Sequence, residues 1–169
     1  KLYISPSLKL NIDELVLLDC KKDTVASIKS ILVDVNIRAL YTGEIKLDEI
    51  LINTPKIYYK IDEFGNSNID WLFELFPTSA NNNDFKFKTE KYKILKGTFN
   101  INDNRSSRLL DKSLLDYSHL KFSDFNLIGN NLKINNIDIK ITLDSLSFIE
   151  QSGFILSKLS GDVKFSDSE

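Results

Sequence analysis

The sequence predicts a mainly β protein: a twisted antiparallel meander forming a curved sheet or groove, with one short amphipathic helix near residues 68–76. Three observations carry this. Apolar and polar residues alternate over most of the chain, so each strand presents one face to a core. Gly and Asn punctuate the alternating runs roughly every ten to twelve residues, the spacing of a strand meander. No long helical pattern separates the runs, as a parallel βαβ unit would require.

The runs follow in order. Leu8, Leu10 and Ile12 alternate, then Ile31, Val33, Val35 and Ile37. Ile45 and Leu47 lead into Ile50 and Ile52, then Ile57, Tyr59 and Ile61. After a break come Phe85 and Phe87, Tyr92 and Ile94, Phe99 and Ile101, then Leu120 and Phe122, Phe125 and Leu127. Ile137, Ile139, Ile141 and Leu143 form the cleanest run, with Asp138, Lys140 and Thr142 facing the other way. Phe154 and Leu156, then Val163 and Phe165, close the chain. Turn signals fall at Thr42-Gly43, Gly65-Asn66, Gly129-Asn130-Asn131, Asn135-Asn136, Ser152-Gly153 and Ser160-Gly161, because Gly and Asn tolerate the positive φ of tight reversals.

The stretch YYKIDEFGNSNIDWLFELF (58–76) contains the helix. Gly65 ends the strand, Asn68 is the expected N-cap, and Asp70 suits the first turn and its dipole. Trp71, Leu72, Leu75 and Phe76 lie on one helical face, and Pro77 stops the winding. Such a helix either plugs the open end of an apolar sheet face or contacts a lipid or partner. Residues 79–84 (SANNND) and 102–107 (NDNRSS) read as loops. Residues 108–117 fit either a strand or a short irregular helix. The whole is one β-rich unit, 1–169, divided into 1–78, the loop 79–84, and a continuing meander over 85–169.

Composition narrows the function. The chain has 169 residues and a net charge of −2 with acids and bases interspersed. No basic stripe is expected that would suit a phosphate backbone, nor a cluster of Lys and Arg for an anionic membrane surface, so nucleic acid is disfavoured. One cysteine, Cys20, excludes an internal disulfide. Apolar runs fall far short of the about 20 residues of a membrane-spanning helix. The chain opens on Lys1 and contains no Met, which suggests a segment of a larger protein.

Catalytic chemistry is not in view. His119 is the only histidine, so no His-rich metal site and no HExxH pattern exists. Cys20 has no nearby His, and GxSxG, GxGxxG and Walker patterns are lacking. The neighbouring pairs Asp13-Glu14, Asp48-Glu49 and Asp62-Glu63 point to opposite faces of a strand and do not converge. Lys29, Asp34, Arg38 and Lys140 within strands discourage edge-to-edge aggregation. Asn104-Arg105-Ser106 matches a glycosylation sequon, a weak signal. No catalytic residue, metal or cofactor is expected.

The ordered set of pieces over 3–76, from LKLNIDELVLLD through TVASIKSILVDVNIRALYTGEIKLDEILINTPKIYYKIDEFGNSNIDWLFELF, resembles the N-terminal region of the AsmA/TamB-like family of bacterial envelope proteins. The matching positions are Ala26, Ile28, Val33, Leu40, Gly43, Leu47, Ile50, Pro55, Ile57, Gly65, Asn68 and Leu72; Phe64 stands where the family usually has Asp. SFIEQSGFILSKLSG (147–161) is similar to a phrase of TamB-like proteins of the Bacteroidetes type. The resemblance implies a periplasmic segment, held to the bacterial inner membrane by an N-terminal anchor outside this stretch. Its apolar β-groove would carry phospholipid toward the outer membrane, with a TamA- or BamA-type barrel as partner in outer-membrane biogenesis. The longest alternating runs supply candidate groove-lining residues: Ile31, Val33, Val35, Ile37, Ile137, Ile139, Ile141 and Leu143. Trp71, Leu72, Leu75 and Phe76 would cap the groove's end. The competing expectation is a structural or partner-docking β-domain whose apolar face is closed. A sugar-binding sandwich is disfavoured because the aromatics fall in phase with Ile and Leu, and an enzyme comes last.

Overall fold

The computed structural model describes residues 2–4, 8–36, 45–71, 86–111, 113–135 and 138–166. Eight strands form one sheet in sequence order: β1 (Leu2–Ile4), β2 (Lys9–Leu18), β3 (Thr24–Val35), β4 (Ile45–Ile61), β5 (Lys86–Asp103), β6 (Lys121–Asn135), β7 (Asp138–Glu150) and β8 (Ile155–Phe165). The sheet is open, with β1 and β8 at its edges.

One pairing departs from the antiparallel meander. β4 and β5 run parallel, so the sheet is mixed. The connection, residues 62–85, is long enough for the crossover that a parallel pair requires. Residues 79–84, the expected loop, lie outside the described residues. Residues 108–111 and 113–117 are neither strand nor helix but irregular loop, and residue 112 lies outside the described residues.

The strands are also longer than the alternation suggests. Ile45–Ile61 is one strand of 17 residues and Lys86–Asp103 one of 18. The reason is a line of left-handed kinks crossing the sheet. Glu14, Thr54, Lys96 and Asp124 have φ of 58°, 51°, 55° and 48° inside their strands. Glu14 lies between the pairs Asp13↔Ser30 and Leu15↔Ile28, and Thr54 lies between Asn53↔Leu95 and Lys56↔Thr98, in step with Lys96. At the kinks the apolar phase slips by one residue (Ile12 to Leu15, Ile52 to Pro55), and the facing stretch of β3 slips likewise (Ile28 to Ile31) without a left-handed residue, so the apolar face stays continuous. Asn126 supports the line by accepting from the Lys96 amide at 3.0 Å. Pro55 tolerates the strand interior because the ladder is already interrupted there. A second line of register breaks follows Asp34/Val35, Asn130/Lys133 and Leu143/Leu146. Gly129-Asn130-Asn131 and Ser160-Gly161, which read as turns, sit in this line inside β6 and β8. Turns and strand irregularities recruit the same residues because both need positive φ.

The helix begins where expected but is capped differently. Ser67 is the N-cap: its hydroxyl accepts from the Ile69 amide at 3.1 Å, and Asp70 accepts from the Ser67 amide at 2.7 Å, a reciprocal capping box. Asn68 instead ties the segment to β4, accepting from the Lys60 amide at 2.9 Å and donating to the Tyr58 carbonyl at 2.8 Å. Gly65, at φ 89°, closes the preceding turn, which Asp62 organises by accepting from the Phe64 and Asn66 amides. Trp71 is half-buried and donates from Nε1 to the Asn68 carbonyl at 3.0 Å. Leu72, Leu75 and Phe76 lie outside the described residues. Trp71→Ala is expected to cost about 2 kcal/mol, or roughly 5 °C in Tm. An unchanged calorimetric midpoint would show that the indole covers nothing.

Candidate functional site

The strand register assembles apolar rows that cross the whole sheet. One runs Ile12, Ile31, Ile52, Ile94, Leu127, Leu146, Leu159, each the direct partner of the next. A second runs Leu10, Val33, Ile50, Tyr92, Gly129, Leu143, Gly161. Beyond the kinks, Phe99, Phe122, Phe125 and Phe148 continue the face as an aromatic cluster, with ring centroids 4.5 Å apart for Phe99–Phe125 and 4.8 Å for Phe122–Phe148. Phe154 extends it to the β7–β8 turn, 6.1 Å from Phe148.

Among the described residues no second sheet or helix stacks on this face. Among the described residues few apolar side chains are fully buried on it, Ala26, Pro55, Tyr92 and Leu143. The accessible surface is 11917 Å², against roughly 8,500 Å² for a compact monomer of this mass. A single twisted layer whose apolar face is uncovered among the described residues accounts for both facts. Ile31, Val33, Val35, Ile139, Ile141 and Leu143 share that face; all but Leu143 are partly exposed. Ile37 and Ile137 lie outside the described residues.

One end of the sheet carries most of the exposed apolar side chains. Phe64 is 88% exposed, Leu110 wholly so, and Leu109, Leu114, Tyr117 and Phe154 stand out from neighbouring loops. The 104–120 loop is held there by polar anchors. Asp116 accepts from the Leu109 and Ser118 amides and pairs with His119 Nδ1 at 3.0 Å, while Gln151 donates to the His119 carbonyl at 2.6 Å. The amides and the His119 ring hold the Asp116 carboxyl below its ordinary range. His119 is therefore a buried structural residue.

Sequence reasoning missed Glu150. It is 1% exposed, yet its carboxylate accepts from the Lys121 amide at 3.2 Å and from the Ser152 amide and hydroxyl at 2.7 and 2.6 Å. Burial would raise this carboxyl, but the Ser152 and Lys121 donors hold it below its usual value. The Glu-Gln-Ser-Gly phrase thus clamps β6, β7 and the turn into β8. Its signal in the sequence was a lone acid in phase with Leu146 and Phe148, where an apolar residue belongs.

Register overturns one further reading. Although the sequence holds no linear basic run, Lys46, Lys88, Lys133, Lys140 and Lys164 are successive cross-strand partners on β4 to β8. They form a basic stripe on the face opposite the apolar rows. Among the described residues no His/Cys/Asp/Glu group could hold a metal, and no helix is long and apolar enough to cross a membrane. Cys20 is exposed beside the β2–β3 turn. No family model matches the chain, and no curated protein matches it at a significant level.

Proposed function

We propose that this chain is a lipid-carrying groove segment of an AsmA/TamB-like envelope protein. In this reading it is periplasmic and held to the inner membrane by an anchor outside this stretch. It passes phospholipid toward the outer membrane and works with a TamA- or BamA-type barrel. The observation that carries the reading is the apolar face that no other element covers among the described residues, above all the aliphatic row from Ile12 to Leu159. Acyl chains laid on such a face gain about 0.8 kcal/mol per buried methylene. Movement along it needs no catalytic group, since neighbouring rows are chemically alike.

The test is mass spectrometry of lipid extracted from the purified protein, expressed with its native neighbours on both sides. A stoichiometric phospholipid is expected, lost in Ile139→Asp or Ile141→Asp with the circular dichroism spectrum retained. Folded protein free of lipid would favour the second reading, a partner-docking β-domain whose apolar face is covered by protein.

A further inference from the structure

The lysine row has a cost that calls for a function. Like charges directly opposite on neighbouring strands destabilise a sheet. The adjacent row mixes the signs: Lys9 opposes Asp34 and Glu49 opposes Lys91, with Asp34 and Glu49 as its one like-charged pair, before Asn130, Thr142 and Asp162. The lysine row contains no acid to offset its charges. Lys46 is paired with Glu90 at 2.7 Å. Lys133, Lys140 and Lys164 make no ion pair among the described residues. Asp162, the nearest acid inward, instead accepts from the Thr142 hydroxyl at 2.7 Å. Asp138 lies two residues from Lys140 along β7. These three lysines, with Asn131, Thr142 and Asp162, line a shallow depression of about 420 Å³.

We propose that this depression is an anion site for phosphate groups, served by Lys133, Lys140 and Lys164. Adjacent strands set the amines about 4.8 Å apart at their bases, a spacing at which neighbouring phosphate oxygens reach two lysines at once. Lysine serves as a mobile point charge that follows a phosphate rather than fixing it. The overall net charge of −2 favours a small or singly presented phosphate over a long polyanion. The site lies on the face opposite the apolar rows and does not depend on lipid entering them.

The test uses two probes on the intact chain: inorganic tripolyphosphate by calorimetry, and co-sedimentation with phosphatidylcholine vesicles with or without phosphatidylglycerol. Tripolyphosphate binding that weakens roughly tenfold or more in the Lys133→Gln/Lys140→Gln/Lys164→Gln variant, and falls with added salt, supports the site with free phosphate as ligand. Binding to phosphatidylglycerol vesicles alone, lost in the same variant, supports it with a lipid headgroup as the source. The triple Lys→Arg variant should keep binding, which separates lost charge from lost fold. Failure of both probes to bind, or binding unchanged in the Gln variant, overturns the proposal. Neither result bears on whether lipid is extracted from the apolar face.

Discussion

Gly129→Ala should destabilise the protein by about 3 kcal/mol, lowering Tm by roughly 10 °C. Gly129 is buried beneath the Tyr92 side chain, which arches over β6 and donates its hydroxyl to the Thr142 carbonyl at 2.9 Å. A methyl group at Gly129 would collide with the Tyr92 hydroxyl and with the Thr142 carbonyl. The backbone carbonyl belongs to the ladder and cannot yield, so the ring must leave its place and expose one of the few fully buried apolar side chains. Tyr92→Phe keeps the ring and loses one hydrogen bond, costing about 1 kcal/mol. It also removes a pH dependence. Burial, with the nearby Asp144 charge, raises the Tyr92 hydroxyl above its ordinary 10.0. The unfolded chain therefore ionises first, and wild-type stability falls as pH climbs past that value. Urea titrations should show these losses with little change in m. Gly129→Ala within about 0.5 kcal/mol of wild type would mean that the arch is absent.

Glu150→Ala should cost about 3 kcal/mol or more. It strands the Lys121 amide and both Ser152 donors in a buried corner, and each unsatisfied donor costs roughly 1–3 kcal/mol. Glu150→Gln keeps the shape and one acceptor and should cost about half as much. Because the folded carboxyl is held below 4.5, its contribution is complete above that pH and is lost as the pH falls below it. Asp103, held to about 2 chiefly by the Arg105 guanidinium, and Asp62, lowered by Asn66, act in the same direction. The wild type should therefore lose stability progressively from about pH 4.5 toward pH 2, and Glu150→Gln should lose less over that range. Parallel acid titrations of the two proteins would exclude the clamp.

The two lines of irregularity explain how alternation can predict strands and misplace their ends. Ile52 and Ile57 belong to one strand, but the left-handed Thr54 between them shifts the phase and mimics a break. Gly129-Asn130-Asn131 has turn chemistry and lies mid-strand, because a kink and a turn ask the same thing of the backbone. The parallel β4–β5 pair was not legible, since alternation carries no strand direction.

The sequence by itself determined the β class, the presence of one apolar face, the Gly65 turn and a helical start behind it, although it placed the cap at Asn68 rather than Ser67. Each depends on near neighbours in the chain, where spacing and local hydrogen bonding decide the outcome. Only the tertiary structure decided which residues stand side by side. Ile12 and Leu159 end one aliphatic row, and five lysines from five strands form another, although no two of them in that row are closer than seven positions in sequence. Strand register is a long-range property, set by turn geometry and pleat across the whole sheet, and it turns interspersed charge into a basic row and separate apolar runs into one continuous surface.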